Sequence, residues 1–174
     1  MSQARQHRGV PLREADPQQF RSALGCFATG VTIVTAKGLG EGEYIGITVN
    51  SFASVSLDPP LVLFSLGKRN FSLKHFLSTR HFAVNVLSKT QQELGARFAR
   101  SAFDKWSGVE FELWQYDCPI FPGSAAAFEC TIHHTYQGGD HVILVGHVEH
   151  MLCDPAAEPL LFLRGRYGTF GTDA

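Results

Sequence analysis

Cysteine is scarce: Cys26, Cys118, Cys130 and Cys153 are the only four in 174 residues, and no two form a CxxC pair. That excludes a zinc knuckle and a dithiol redox motif, and leaves the four as reduced fillers of apolar positions. Long apolar runs are missing too. Nothing approaches the roughly 18 residues that a membrane-crossing helix needs, and the opening MSQARQHRGVPLREADPQQ has no apolar signal core. The expected compartment is therefore the cytoplasm, with no membrane partner. Charge of one sign is lacking as well, since 15 Lys and Arg against 16 Asp and Glu leave a net charge of -1. Nothing in that balance draws the chain to nucleic acid. GxxxxGK[ST], GxGxxG, GxSxG and HExxH patterns are all absent, so P-loop, Rossmann, serine-hydrolase and zinc-protease readings fail.

What remains is apolar and β-rich. With 44% hydrophobic and only 18% charged residues the chain has material for one core. Residues 1–15, polar and without period, read as a tail ahead of a domain spanning 16–174. Asp16-Pro17 opens a helix whose Phe20, Leu24 and Phe27 form a stripe and which Gly30 ends. Val31 to Thr35 is β-branched throughout and suits a strand. Tyr44 to Leu57 reads as one long or bent strand stopped by Asp58-Pro59-Pro60. Further strands are expected at 61–66, 82–87, 109–114, 125–137, 141–153 and 160–163. Short helices are expected near 71–78 and from Ser88 or Thr90 to Ala99. Gly138-Gly139-Asp140 marks a hairpin. Strands in hairpin order predict an antiparallel barrel or sandwich rather than a doubly wound sheet.

Five of the eight histidines fall between His133 and His150. In regular strands His133 and His134 face opposite sides, as do His147 and His150, so no metal site is expected. From Gly46 to Pro60, Thr48, Asn50, Ser51, Ser54 and Ser56 punctuate an apolar strand. Neutral donors and acceptors beside apolar walls are what a planar heteroaromatic with a polar rim requires. The polar face of an ordinary antiparallel strand is the alternative.

FRSALGCFATGVTIVTA, GITVNSFASVSLDPPLVLFSL, FAVNVL, ARFA, GGDHVILVGHVEH and PLLFLRGRYG occur in that order across residues 18–170. Together they resemble the short flavin reductase family, the reductase partners of two-component flavin-dependent monooxygenases. The resemblance implies a split β-barrel related to FMN-binding proteins, a homodimer, and reduction of FMN or FAD by NADH or NADPH for a partner monooxygenase. It assigns flavin contacts to Tyr44, Ile45, Gly46, Ile47, Thr48, Asn50, Ser51, Ser65, Leu66, Gly67, Phe71, Ser72, Arg97 and Phe98. For Arg97, a phosphate oxygen is the implied partner and a solvated helix cation the alternative. The GDH triplet puts His141 beside the nicotinamide, as the residue closest to a catalytic role, and Phe162, Leu163, Arg164 and Gly165 match a second dinucleotide contact region. A non-catalytic flavin-binding barrel is the rival reading, and GDH with LRGRY is what such a binder would not need.

Overall fold

A computed structural model describes residues 11–14, 16–101 and 104–171. Most of the expected tail lies outside those residues; Leu12–Glu14 forms an exposed 3-10 turn. Helix α1 (Pro17–Leu24) begins as the sequence predicts. The Asp16 carboxylate accepts the Gln18 N–H at 2.9 Å, and the Gln19 side chain accepts the Asp16 N–H at 3.2 Å, a reciprocal cap ahead of a proline in the first turn. It stops at Leu24, capped by Gly25, and not at Gly30, which belongs to strand β1 (Thr29–Gly30). Phe27 therefore lies beyond the helix, and no residue of α1 is buried.

Strands β2 (Thr32–Lys37), β3 (Tyr44–Val49), β4 (Ala53–Leu57) and β5 (Pro60–Gly67) follow. The single strand expected over 44–57 is thus two. The break falls where the Ser51 hydroxyl donates to the Ser65 carbonyl at 2.9 Å and accepts the Ser65 N–H at 3.0 Å, replacing ladder bonds by side-chain ones. Next come α2 (Leu73–Ser78), β6 (His81–Val86) and α3 (Gln92–Phe98). A short β7 (Glu112–Leu113) replaces the expected strand 109–114, because Val109, Phe111 and Trp114 point into packing clusters instead of a ladder. β8 (Pro119–Ile120), the long hairpin β9 (Ala126–Gly138) and β10 (His141–Cys153), and a terminal hairpin of β11 (Leu161–Leu163) and β12 (Arg166–Gly168) complete the chain.

All pairings are antiparallel. Seven strands form one curled sheet in the order β3-β2-β6-β9-β10-β5-β4, a barrel split between its edges. Strand β2 is buried along five consecutive residues because both its faces are covered. Val34 and Ala36 face the barrel interior, where Phe64 meets Phe76 and Phe82 edge-on at 5.5 and 5.2 Å. Ile33 faces the other way, into a cluster with Leu87, Phe98, Phe121 and Leu160 under α3. Buried Asn85 ties this second layer to the barrel. Its amide nitrogen donates to the Ile33 and Pro119 carbonyls at 3.2 and 3.3 Å, and its oxygen accepts the Phe121 N–H at 2.9 Å. Those bonds fix Phe121 beneath Trp106, which lines the cleft described next. No helix among the described residues is long and apolar enough to cross a membrane.

Candidate functional site

Where the barrel splits, a cleft of about 850 Å³ opens along the unpaired side of β3. Because β3 pairs only with β2, alternate N–H and C=O groups along that edge are free to serve a ligand. Its other walls are the end of β5 with the turn after it, and the segment following α3. β3 is held down from behind. The Thr48 hydroxyl donates to the Gly95 carbonyl at 2.7 Å, and the Tyr44 ring meets Trp106 at 5.9 Å and Phe111 at 5.1 Å. Gly46 is required between them: a Cβ there would stand 2.5 Å from Phe98 Cε1 and 3.1 Å from Trp106 Cζ2.

Across the cleft, the turn after Gly67 is closed by the Asn70 N–H donating to the Gly67 carbonyl at 2.9 Å. The Ser72 N–H donates to the Asn70 side-chain oxygen, also at 2.9 Å. The Lys68 N–H donates to the Asp140 carbonyl at 2.9 Å and ties this turn to the β9–β10 hairpin. Phe71 is mostly exposed at the rim, with the Lys74 ammonium 4.2 Å from its ring centre. His141, paired with Gly67, sits at the same end. Its Nδ1 lies 2.7 Å from the Asp140 carboxylate, which that hydrogen bond and the imidazole charge hold below its ordinary pKa. In the neutral ring, with Nδ1 carrying the proton toward Asp140, Nε2 is available as an acceptor.

Tyr44, Ile45, Gly46, Ile47, Thr48, Asn50, Ser51, Ser65, Leu66, Gly67, Phe71, Ser72 and His141 all line this one cleft. Phe98 does not: it is wholly buried behind Gly46 and Trp106. Arg97 does not reach the cleft either. Its guanidinium donates to the Asp104 and Ser107 carbonyls at 3.4 and 2.6 Å and borders a separate cavity, so it is not the simply solvated helix cation of the alternative reading. Phe162, Leu163, Arg164 and Gly165 also lie off this cleft. Arg164 and Gly165 are the two-residue turn of the β11–β12 hairpin, with φ of 49° and 78°, and β11 pairs with β1. The Arg164 N–H donates to the Gly25 carbonyl at 3.0 Å, and its guanidinium points to Cys26 Sγ at 3.7 Å.

Arg69, Asn70, Arg100, Ser101, Lys105 and Trp106 also line the cleft, and the sequence reading missed them. The one available signal was the alternation of cations and rings in Arg100 to Trp106, a stretch with no period to orient it.

The histidines do not alternate as regular strands would place them. β-Bulges between Val145 and Gly146 and between Val148 and His150 break strict alternation. His133 has no partner in the register, and its ring meets that of His134 at 4.3 Å instead of facing away. Near the second bulge, His147 Nδ1 lies 3.1 Å from Glu149, and His150 Nδ1 lies 3.2 Å from the fully buried Glu129. Glu129 also accepts the Tyr116 N–H at 2.9 Å. Among the described residues no three such ligands converge on a metal position.

The family model described as "Flavin reductase like domain" matches residues 24–171. The "FMN reductase (NADH) SmoA" of Agrobacterium fabrum is 46% identical over 167 residues, covering 95% of this chain and 92% of that one. The "Flavin-dependent monooxygenase, reductase subunit HsaB" of Mycobacterium tuberculosis is 39% identical over 88% of this chain and 82% of its own. A "Probable flavin reductase" of Rhizobium meliloti is 47% identical over 133 residues, 76% of this chain, which spans only 42% of that longer relative. In structure, the NADH:FAD oxidoreductase SgcE6 of Streptomyces globisporus, solved with NAD and FAD fragments, superposes with a TM-score of 0.88 at 39% identity. That match covers 96% of this chain and 99% of the other. A split antiparallel barrel, a cleft at its open edge and a match along nearly the whole described chain agree: the protein belongs to the flavin reductase like family.

Proposed function

We propose that the chain is the reductase component of a two-component system, using NADH to reduce FMN or FAD and passing the reduced flavin to a partner monooxygenase. The observation that carries this reading is the cleft itself, where the free edge of β3 faces the β5 turn and His141 closes one end. The residues fit a flavin: apolar walls from Ile45, Ile47 and Leu66 stand beside neutral partners at Thr48, Asn50, Ser51 and Ser65. When bound, the flavin supplies the redox chemistry, accepting a hydride from the nicotinamide ring. The free N–H groups of the β3 edge and the Asn50 amide orient the ring and offer donors where negative charge grows, while the Thr48 and Ser51 hydroxyls, whose protons go to Gly95 and Ser65, are left as acceptors. His141, its tautomer set by Asp140, accepts from the amide of the nicotinamide. No protein nucleophile is called for; the chain's part is to align two rings and exclude water.

The names of SmoA and SgcE6 support FMN or FAD and NADH, and that of HsaB supports an oxygenase partner. The same reading makes residues 16–174 one working domain and, because it draws on NADH, sets it in the cytoplasm. It also calls for a homodimer. Phe20, Leu24 and Phe27 are 47%, 60% and 77% exposed in the single chain, more apolar surface than a short helix and the turn after it leave in water without cause. Phe162, Leu163, Arg164 and Gly165 keep a role as dinucleotide contacts if the second copy brings them to a cleft. Purified protein mixed with NADH and FMN or FAD should consume NADH, read from its absorbance band; no consumption with either flavin, and none with NADPH, refutes the reading. A mass measured by light scattering that corresponds to one chain refutes the dimer.

A further inference from the structure

The chain carries its charge unevenly. Between Asp58 and Glu93 the sequence holds Lys68, Arg69, Lys74, Arg80 and Lys89 and no acid, although the whole chain has a net charge of -1. Lys89 is paired with Glu158; the other four form no ion pair among the described residues. The fold lays those four along one border. Lys68 and Arg69 stand exposed in the turn after β5, which the Lys68 N–H ties to the Asp140 carbonyl. Lys74 and Leu77 lie on the outer face of α2, because Leu73, His75 and Phe76 take its inner face. Arg80 follows α2, and its carbonyl accepts the Ile132 N–H at 2.8 Å, which joins the strip to β9. Six residues of helix span about 9 Å, so cations mark both ends and the middle of a short strip. Asp140, the acid tied to this turn, is already bonded to His141 Nδ1 at 2.7 Å.

Apolar surface is interleaved with this charge. Phe71 and Leu77 are 70% and 50% exposed, and the Lys74 ammonium lies 4.2 Å from the Phe71 ring centre. An apolar centre with a charged rim is the anatomy of a protein-binding face. A nucleic acid or an anionic membrane calls for a broader basic surface, and the net charge of the chain opposes both. Location then selects the partner. Phe71 and Ser72, just ahead of α2, also line the cleft, so a protein docked on this strip stands at the cleft mouth. Reduced flavin free in solution is reoxidised by oxygen, and a receiver held at that mouth works at a higher effective concentration. Resting on the reductase function proposed above, we propose that α2 with the turns on either side of it is the docking surface for an acidic face of the monooxygenase that receives the flavin. Opposite charge speeds that encounter and sets its register, and adds no group to the reaction itself.

A rhodamine-labelled oligoglutamate peptide stands in for the acidic face, its binding to the full chain read by fluorescence anisotropy at low salt with saturating FMN present. Binding should saturate, and should weaken as salt is added. Lys74→Glu combined with Arg80→Glu should weaken it at least about tenfold. Arg13→Glu combined with Arg21→Glu alters the net charge equally around α1, and there the affinity should stay within about twofold. Arg80 does not line the cleft, so Arg80→Glu alone should leave NADH consumption within about twofold. No binding, equal losses in the two double variants, or binding that appears only when FMN is left out would each overturn the proposal. Duplex DNA, or vesicles of phosphatidylserine, bound as tightly as the peptide and weakened by the same Lys74 and Arg80 changes would assign the strip to a nucleic acid or a membrane instead and overturn it too. Peptide binding as expected without NADH consumption would refute the reductase reading and leave an acidic-partner surface standing; NADH consumption without peptide binding would refute the docking surface alone.

Discussion

Gly46→Ala offers the sharpest test of how the cleft is built. The new methyl would lie 2.5 and 2.7 Å from two carbons of Phe98 and 3.1 Å from Trp106. Carbon pairs rest at about 3.5–4.0 Å, so roughly 1 Å of relief is needed. Phe98 cannot give it, being fully buried and wedged against Phe121 at 5.4 Å and Trp106 at 4.9 Å. β3 can, because its far side is unpaired, and it must then move into the cleft. Overpacking of this kind costs about 1–3 kcal/mol. At about 2–4 °C per kcal/mol for a chain of this size, the melting temperature should fall by roughly 2–12 °C. A displacement of about 1 Å in positioning groups costs on the order of 10²-fold in turnover, and FMN affinity should drop with it. Gly146→Ala is the control. Its methyl would press on Phe82 and Cys130 inside the barrel, away from the cleft, so it should lower the melting temperature and leave FMN binding intact. Thermal denaturation and FMN titration of both variants decide the matter. Should Gly46→Ala lose stability like the control yet bind FMN like the wild type, β3 is not the wall of the flavin site.

Ser51→Ala removes both bonds to Ser65 that join the two sides of the split and leaves two backbone groups without partners. A loss of about 1–3 kcal/mol follows, and an unchanged melting temperature would contradict it. His141→Ala frees the Asp140 carboxylate and removes the acceptor at the cleft end, so the NADH Michaelis constant should rise about tenfold while the flavin constant moves little; equal changes in both would count against its placement. His81 lies flat on Tyr116 at 4.0 Å, and loss of water together with Arg80 lowers its pKa from 6.5. The unfolded chain therefore takes up the proton first, so its contribution to stability is complete above pH 6.5 and is lost as the pH falls toward the lowered value. His81→Gln should flatten the acid side of the melting-temperature profile; a profile identical to wild type would refute that assignment.

By itself the sequence determined everything set by local chemistry and by ordered motifs. The Asp16-Pro17 cap, the Gly139-Asp140 hairpin turn and the β-branched run of β2 act over a few bonds, and they stand where composition and period put them. The polar punctuation of the strand from Gly46 onward was legible in its side chains, whereas Tyr44, Ile45, Phe71 and Ser72 were singled out only by the resemblance of the ordered motifs to the family. Only the tertiary structure decided the rest. Arg97 has the right chemistry for a phosphate, but its guanidinium is bonded to two carbonyls of the following loop, and Lys105, not Arg97, is among the residues lining the cleft. The bulges that turn His133 toward His134 come from the register between two long strands, and the break at Ser51 comes from a strand it meets only after the chain has turned back. Period and propensity describe what a residue prefers among its neighbours in sequence; which distant group satisfies its hydrogen bonds, and so where its charge ends up, is fixed when the sheet closes.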